Sequence, residues 1–249
     1  MNPRAVDAGN GWQWIVDGFH IFRKGAVMWI VLTLVLAILW LLSLMIPLLG
    51  PLLFNLFSPV FFAGILIGCR AIEQNEALEL PHLFAGFKSN VSALVSVGGV
   101  YLAGTIIIIG IVLATVGASA FTMTKPGKAI DAEAAMALMS TMGVALTIAL
   151  ALYMPLMMAI WFAPALIVFE NLGAMVAMKQ SFAACLMNMM PFLVYGAVVM
   201  VLWIIASIPL LLGLLVLLPV AFCSVYTSYM DIFAASAQPP QRRDNPLLK

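Results

Sequence analysis

The side chains of this sequence that could do chemistry fall into three groups. Glu73, Glu76 and Glu79 recur every three residues with His82 close behind, and a hard metal would need them to converge. On an exposed helix the same spacing keeps the carboxylates in water, and no metal is assigned to them. Met136, Met139 and Met142 form an i, i+3, i+6 row, repeated by Met154 with Met157 and by Met175 with Met178. Thioethers bind Cu(I), so such rows could pass a soft metal. Methionine is also the adaptable filler of irregular apolar packing, and packing is the expectation here. Cys69, Cys185 and Cys223 lack CxxC spacing and are expected as free, buried thiols in a reducing compartment. No Gly-rich phosphate loop, Walker sequence or nucleophile elbow occurs, and no cofactor is expected.

The elements that must carry these groups are set by hydropathy. With 65% hydrophobic and 8% charged residues, the chain cannot hide its apolar side chains in one soluble core. Gly25 to Cys69 holds no charged side chain and is broken by Pro47, Gly50 and Pro51. At about 1.5 Å per residue such a run reaches roughly twice across a hydrocarbon core, so it must turn back. Further uncharged runs extend from Ser89 to Thr124, Ala134 to Phe169 and Gln180 to Met230. Split at their Pro and Gly breaks, they predict six transmembrane helices near 26–46, 52–69, 91–116, 136–168, 190–208 and 210–230. The expected fold is an all-α integral membrane domain over 1–237, made of three hairpins. Every predicted hydrocarbon core lacks Asp, Glu, Lys, Arg and His, which argues against a proton-coupled carrier, an intramembrane protease and a bis-His haem protein.

Loop charge predicts orientation. The side of both termini holds Arg4, Arg23, Lys24, Arg70, Lys88, Lys179, Arg242, Arg243 and Lys249, against Lys125 and Lys128 opposite. The positive-inside rule then places both termini in the cytoplasm of a bacterial inner membrane. Met1 to Trp12 does not read as a cleavable signal peptide. Asp131 is a plausible cap for the fourth crossing, and 238–249 reads as a disordered cytoplasmic tail.

A short amphipathic helix is expected before each hairpin. In the first, Asn10 is the expected cap, Trp12, Ile15, Val16, Phe19 and Phe22 the apolar face, and Gln13, Asp17, His20 and Lys24 the opposite one. Such a helix either lies in the cytoplasmic headgroup layer or packs on the hairpins themselves. The second begins at Pro81, with Leu83, Phe84 and Phe87 apolar and Lys88 at its end. The third carries Ala174, Ala177, Ser181 and Ala184 on one face, small enough for close backbone approach, and Met175, Met178 and Phe182 on another. The expected lipid or partner contacts are Trp12, Trp14, Phe19, Phe22, Arg23, Lys24, Phe84, Phe87, Lys88 and Lys179.

Overlaying these pieces suggests an internal threefold repeat, over about 10–73, 80–170 and 171–231. Each unit pairs aromatic or Cys residues three apart (Phe19 with Phe22, Phe84 with Phe87, Phe182 with Cys185) with a proline in the returning helix: Pro59, Pro155 or Pro219. An acidic residue follows at the exit, Glu73, Glu170 or Asp231. Each proline leaves the carbonyl four residues earlier without its donor, at Asn55, Ala151 and Leu215, and kinks its helix, so three kinks at similar depth could shape a central cavity. Ser224, Tyr226, Thr227, Ser228 and Tyr229 could hold a headgroup or close a helix contact.

The stretches Gly11-Trp12-Gln13-Trp14-Ile15, Gly18 to Arg23, Ile46-Pro47, Ala63-Gly64 and Leu83-Phe84-Ala85-Gly86-Phe87 resemble an uncharacterised family of small proteobacterial inner-membrane proteins, over nearly the whole chain. More loosely, the plan resembles the membrane domain attached to some glycerophosphodiester phosphodiesterases, without their hydrolase barrel. The resemblance implies architecture and compartment and carries over no catalytic residue. The resulting expectation is a non-enzymatic accessory protein that binds membrane lipids, another membrane protein or a second copy, and not nucleic acid. The alternative is a transporter or channel for a small or apolar solute.

Overall fold

A computed structural model describes residues 3–123 and 132–233, and every regular element among them is helical. Lys125, Lys128 and the proposed cap Asp131 lie outside the described residues, as do the tail 238–249 and its Arg242, Arg243 and Lys249. The helices are α1 (Asn10–Lys24), α2 (Ala26–Leu44), α3 (Leu49–Glu73), α4 (Val91–Met123), α5 (Ala132–Trp161), α6 (Ala163–Glu170), α7 (Ala174–Met187), α8 (Met189–Ser207) and α9 (Leu214–Ile232), with a 3₁₀ helix at Leu80–Lys88. Among the described residues, six stretches are long and apolar enough to cross a membrane: α2, α3, α4, α5 together with α6, α8 and α9.

Boundaries differ from the sequence reading where proline chemistry decides them. α3 starts at Leu49, before Pro51, because a proline in the first turn lacks only an N–H that has no partner there. The last helix begins at Leu214 instead of 210, since Leu210 and Leu211 adopt positive φ in the turn after Pro209. The long crossing predicted over 136–168 is interrupted at Phe162.

α3 and α9 are the most buried of the six spans. Both carry small residues on the inner face, Ala63, Gly64 and Cys69 on α3 and Cys223, Ser224 and Ser228 on α9, which lets neighbouring backbones approach. α2 packs on α3 and α9, α4 on α3 and α5, and α1 along α9 and onto α8. The 3₁₀ helix packs on α3, and α7 on α5 and α6. The outward faces of α2, α4, α5 and α8 are apolar, as hydrocarbon surroundings require.

α1 buries a different stripe from the one hydropathy suggests. Gly11, Trp14, Ile15, Gly18, Ile21 and Phe22 face inward, whereas Trp12 and Phe19 are exposed. Glycine decides this: a Cβ on Gly11 would lie 2.1 Å from the Pro191 carbonyl oxygen, and one on Gly18 would lie 2.7 Å from the Ser224 nitrogen. Nor does Asn10 cap α1, which starts after Gly9; its Nδ2 donates to Asp231 Oδ2 at 2.7 Å.

Candidate functional site

At one end of the bundle the three acidic exit residues each accept a hydrogen bond from an aromatic side chain. Tyr226 Oη donates to Glu73 at 2.5 Å, Tyr229 Oη to Glu170 at 2.9 Å, and Trp14 Nε1 to Asp231 at 2.9 Å. Asp231 also accepts from Asn10 and pairs with Arg4, whose Nε donates to the Asp231 carbonyl at 2.6 Å. Thr227 Oγ1 donates to the Trp14 carbonyl at 2.9 Å, and Arg70 stacks over Phe169 with its guanidinium 5.1 Å from the ring centre. The polar cluster of α9 thus closes helix contacts. Glu79 and His82 form a reciprocal cap on the 3₁₀ helix.

Of the expected contact residues, Trp12, Phe19, Phe84 and Phe87 are exposed, together with Arg23, Lys24, Lys88 and Lys179. Trp14 and Phe22 are not, at 2% and 5% exposure, which corrects their expected place at a lipid surface. Trp14 instead packs on Phe192 and Tyr195 and gives its N–H to Asp231. Phe84 and Phe87 pack their edges on Phe61 of α3, with ring centres 6.0 and 5.4 Å away. The methionine rows divide: Met136, Met139, Met142, Met154 and Met175 lie on the exterior, where they fill no protein core, whereas Met178 packs in the core as expected. Cys69, Cys185 and Cys223 are free and buried, and Cys69 and Cys223 meet across α3 and α9 with their sulfurs 3.6 Å apart. Burial pushes the Cys185 thiol up to about 12, so it stays protonated at neutral pH.

Two helix irregularities shape the interior. In α3, Pro59 cannot donate to Asn55, and Ser58 Oγ donates to that carbonyl instead, at 2.9 Å. Between α5 and α6, the Met158 carbonyl would accept from the Phe162 N–H in a continuous helix. Here Ser181 Oγ of α7 donates to that carbonyl at 2.7 Å and accepts the Phe162 N–H at 2.9 Å, so a side chain is spliced into the ladder just ahead of Pro164. Ser181, read from sequence only as a small residue, is fully buried for this purpose.

Between these irregularities lies a cavity of about 400 Å³, bounded by residues of α2, α3, α4, α5, α6, α8 and α9. On its wall, Leu36 and Tyr101 stand ten residues from the starts of α2 and α4, and Trp161 nine residues before the end of α6 at Glu170, roughly 15 Å deep in the bundle. Aromatic rings dominate the lining, including Phe54, Phe61, Phe62 and Phe222, and no lining residue is ionised at neutral pH. Of the three prolines expected around a cavity, Pro59 lines it. Pro155 is exposed on the outer face of α5, Pro219 is buried elsewhere, and Pro164 takes the second wall position. The reason is angular: about 100° of turn per residue separates Pro155 from the inward face that carries Trp161 and Pro164.

A helix set of this length, hydropathy and outward apolar surface belongs in a bilayer. The chain is a multi-pass membrane protein. A protein of Burkholderia thailandensis named "Probable inner membrane protein" is 27% identical over 239 residues, covering 89% of this chain and 82% of that one. No family model and no solved structure matches the chain. The likeness to the phosphodiesterase membrane domain gains no support from these comparisons.

Proposed function

We propose that this chain is a non-enzymatic inner-membrane protein with both termini in the cytoplasm, which holds an uncharged, apolar molecule of the bilayer between its helices. The observation that carries this reading is the cavity of about 400 Å³, within the size range of small-molecule sites, with an aromatic lining and no ionised wall residue. A charged ligand would find no counter-ion there, and the wall holds no carboxylate, imidazole, amine or thiol to serve as acid, base or nucleophile. The exposed aromatic residues Trp12, Phe19, Phe84 and Phe87, with basic residues Arg23, Lys24, Lys88 and Lys179, support a lipid-facing role for the same end of the molecule. Three short helices before three pairs of long ones, each pair ending on an acid bonded to an aromatic donor, support the threefold hairpin plan as its origin.

The test is native mass spectrometry of the protein released from nanodiscs formed directly from its own membrane. A neutral apolar adduct of one per chain is expected, and it should fall away in Ala221→Leu, which fills the cavity from α9. A wild-type chain that emerges bare overturns the reading. The same cavity favours passage of a small apolar solute as a second reading, distinguished by solute flux in reconstituted vesicles.

A further inference from the structure

The methionine row at the start of α5 takes no part in packing. Met136, Met139 and Met142 are 66%, 73% and 55% exposed, so no neighbouring helix covers their thioethers. Nor does hydrocarbon cover them. α8 and α9, of 19 residues each, are about 28 Å long and match a core of about 30 Å, whereas the span Ala135–Glu170 has 36 residues and is about 54 Å long. Its Glu170 end is tied to Tyr229 among the acidic exit residues. Met142 stands about 42 Å along the helices from Glu170, and a tilt of about 40°, the upper end for membrane helices, still lifts it about 32 Å. Met139 and Met136 stand farther out. α4, with 33 residues and packed on α5, is long enough to accompany it. The row therefore projects past the hydrocarbon on the side away from the acidic triplet.

Residues three apart on a helix have Cβ atoms about 5–6 Å apart, and methionine has three rotatable side-chain bonds. Met136 and Met142 can therefore both bring sulfur to an ion held by Met139, and the row keeps all three within about 120° of arc on one side of the helix. Harder donors are engaged or distant. Ser140 and Thr141 both donate their hydroxyls to the Ala137 carbonyl. His20 and His82 lie in α1 and the 3₁₀ helix, and the cysteines are buried in α3, α7 and α9. Glu133, exposed one step earlier in the row, adds negative charge nearby. A set of accessible thioethers suits a soft monovalent ion and not Zn(II), whose sites are built from imidazole, thiolate and carboxylate.

We infer that Met136, Met139 and Met142 form a soft-metal site that takes Cu(I) outside the bilayer. With both termini cytoplasmic, as proposed above, this is the outer side of the membrane. The site goes beyond the cavity reading and does not depend on it.

The test uses the full chain in nanodiscs, with ¹³C in the methionine methyl groups, titrated with Ag(I) in chloride-free buffer as a redox-inert stand-in for Cu(I). Three of the 17 methionine signals should move, and Met136→Leu, Met139→Leu and Met142→Leu should each delete one of them. Each substitution conserves volume on an exposed face and should weaken binding about tenfold or more, the least that disturbing a metal's ligand set usually costs. Met200→Leu, comparably exposed on α8 with no methionine three or four residues away, should leave binding unchanged. Following the methyl signals keeps silver taken by the buried thiols out of the readout. Zn(II) should move none of the three signals. Ag(I) that leaves the row unmoved, or Zn(II) that moves it as strongly, overturns the site. Either result leaves the cavity reading standing, because none of the three methionines lines the cavity.

Discussion

Whether α1 belongs to the bundle or floats on the membrane is decided by replacing Gly18 with Ala. A Cβ at Gly18 would sit 2.7 Å from the Ser224 nitrogen and 2.9 Å from the Val220 carbonyl oxygen, both backbone atoms that no rotamer change can move aside. Ordinary contact begins near 3.4 Å, so α1 must lift from α9 by about 0.7 Å. Overpacking of this kind costs about 1–3 kcal/mol. Lifting also stretches the Trp14 Nε1 to Asp231 bond and the Thr227 Oγ1 to Trp14 carbonyl bond, both 2.9 Å, worth about 0.5–1.5 kcal/mol each. Against this stands the helix propensity of Ala over Gly, about 1 kcal/mol in the opposite direction. The net expectation is a loss of roughly 1–5 kcal/mol. Gly196 in α8 is the control, since a Cβ there meets nothing within 4 Å and only the propensity gain of about 0.5–1 kcal/mol remains. Unfolding by SDS titration in mixed micelles, followed by tryptophan fluorescence, should therefore move the midpoint down for Gly18→Ala and slightly up for Gly196→Ala. If Gly18→Ala proves as stable as Gly196→Ala, α1 does not pack on α9 and the burial of Trp14 is wrong.

Two further substitutions probe the polar contacts. Asp231→Ala leaves Trp14 Nε1 and Asn10 Nδ2 without their acceptor and should cost about 1–3 kcal/mol in the same titration, with the exposed Arg4 pair adding little. An unchanged midpoint would show that the α1–α9 junction does not depend on this carboxylate. Ser181→Ala removes one donor and one acceptor from the α5–α6 junction and should cost about 1–2 kcal/mol, the usual range for two hydrogen bonds within a membrane. Amide hydrogen exchange at Phe162 should accelerate with it, and protection equal to wild type would mean the helix closes directly onto the Met158 carbonyl.

The sequence alone settled the solvent this protein folds in and the number of crossings. Hydropathy accumulates over some twenty consecutive residues, and so six apolar stretches could be read without any knowledge of what touches what. The buried, unpaired state of the three cysteines was legible for a similar reason, from their spacing and apolar surroundings. What tertiary structure decided is which side of each helix faces inward and which polar groups find partners. Trp12 and Trp14 are alike in type and adjacent in pattern, yet glycine contacts to α8 and α9 turn Trp14 inward and leave Trp12 outside. Asp231 meets donors more than two hundred residues away, and Ser181 interrupts a helix that ends twenty residues before it. Prolines mark where a helix loses a bond, but Pro155 lies inside α5 and turns outward, whereas Pro164, in the first turn of α6, faces the cavity. Local composition measures the free energy of transfer into lipid. Cavities and hydrogen-bond partners depend on rotation about the helix axis and on contacts between distant segments, and those arise only when the helices pack.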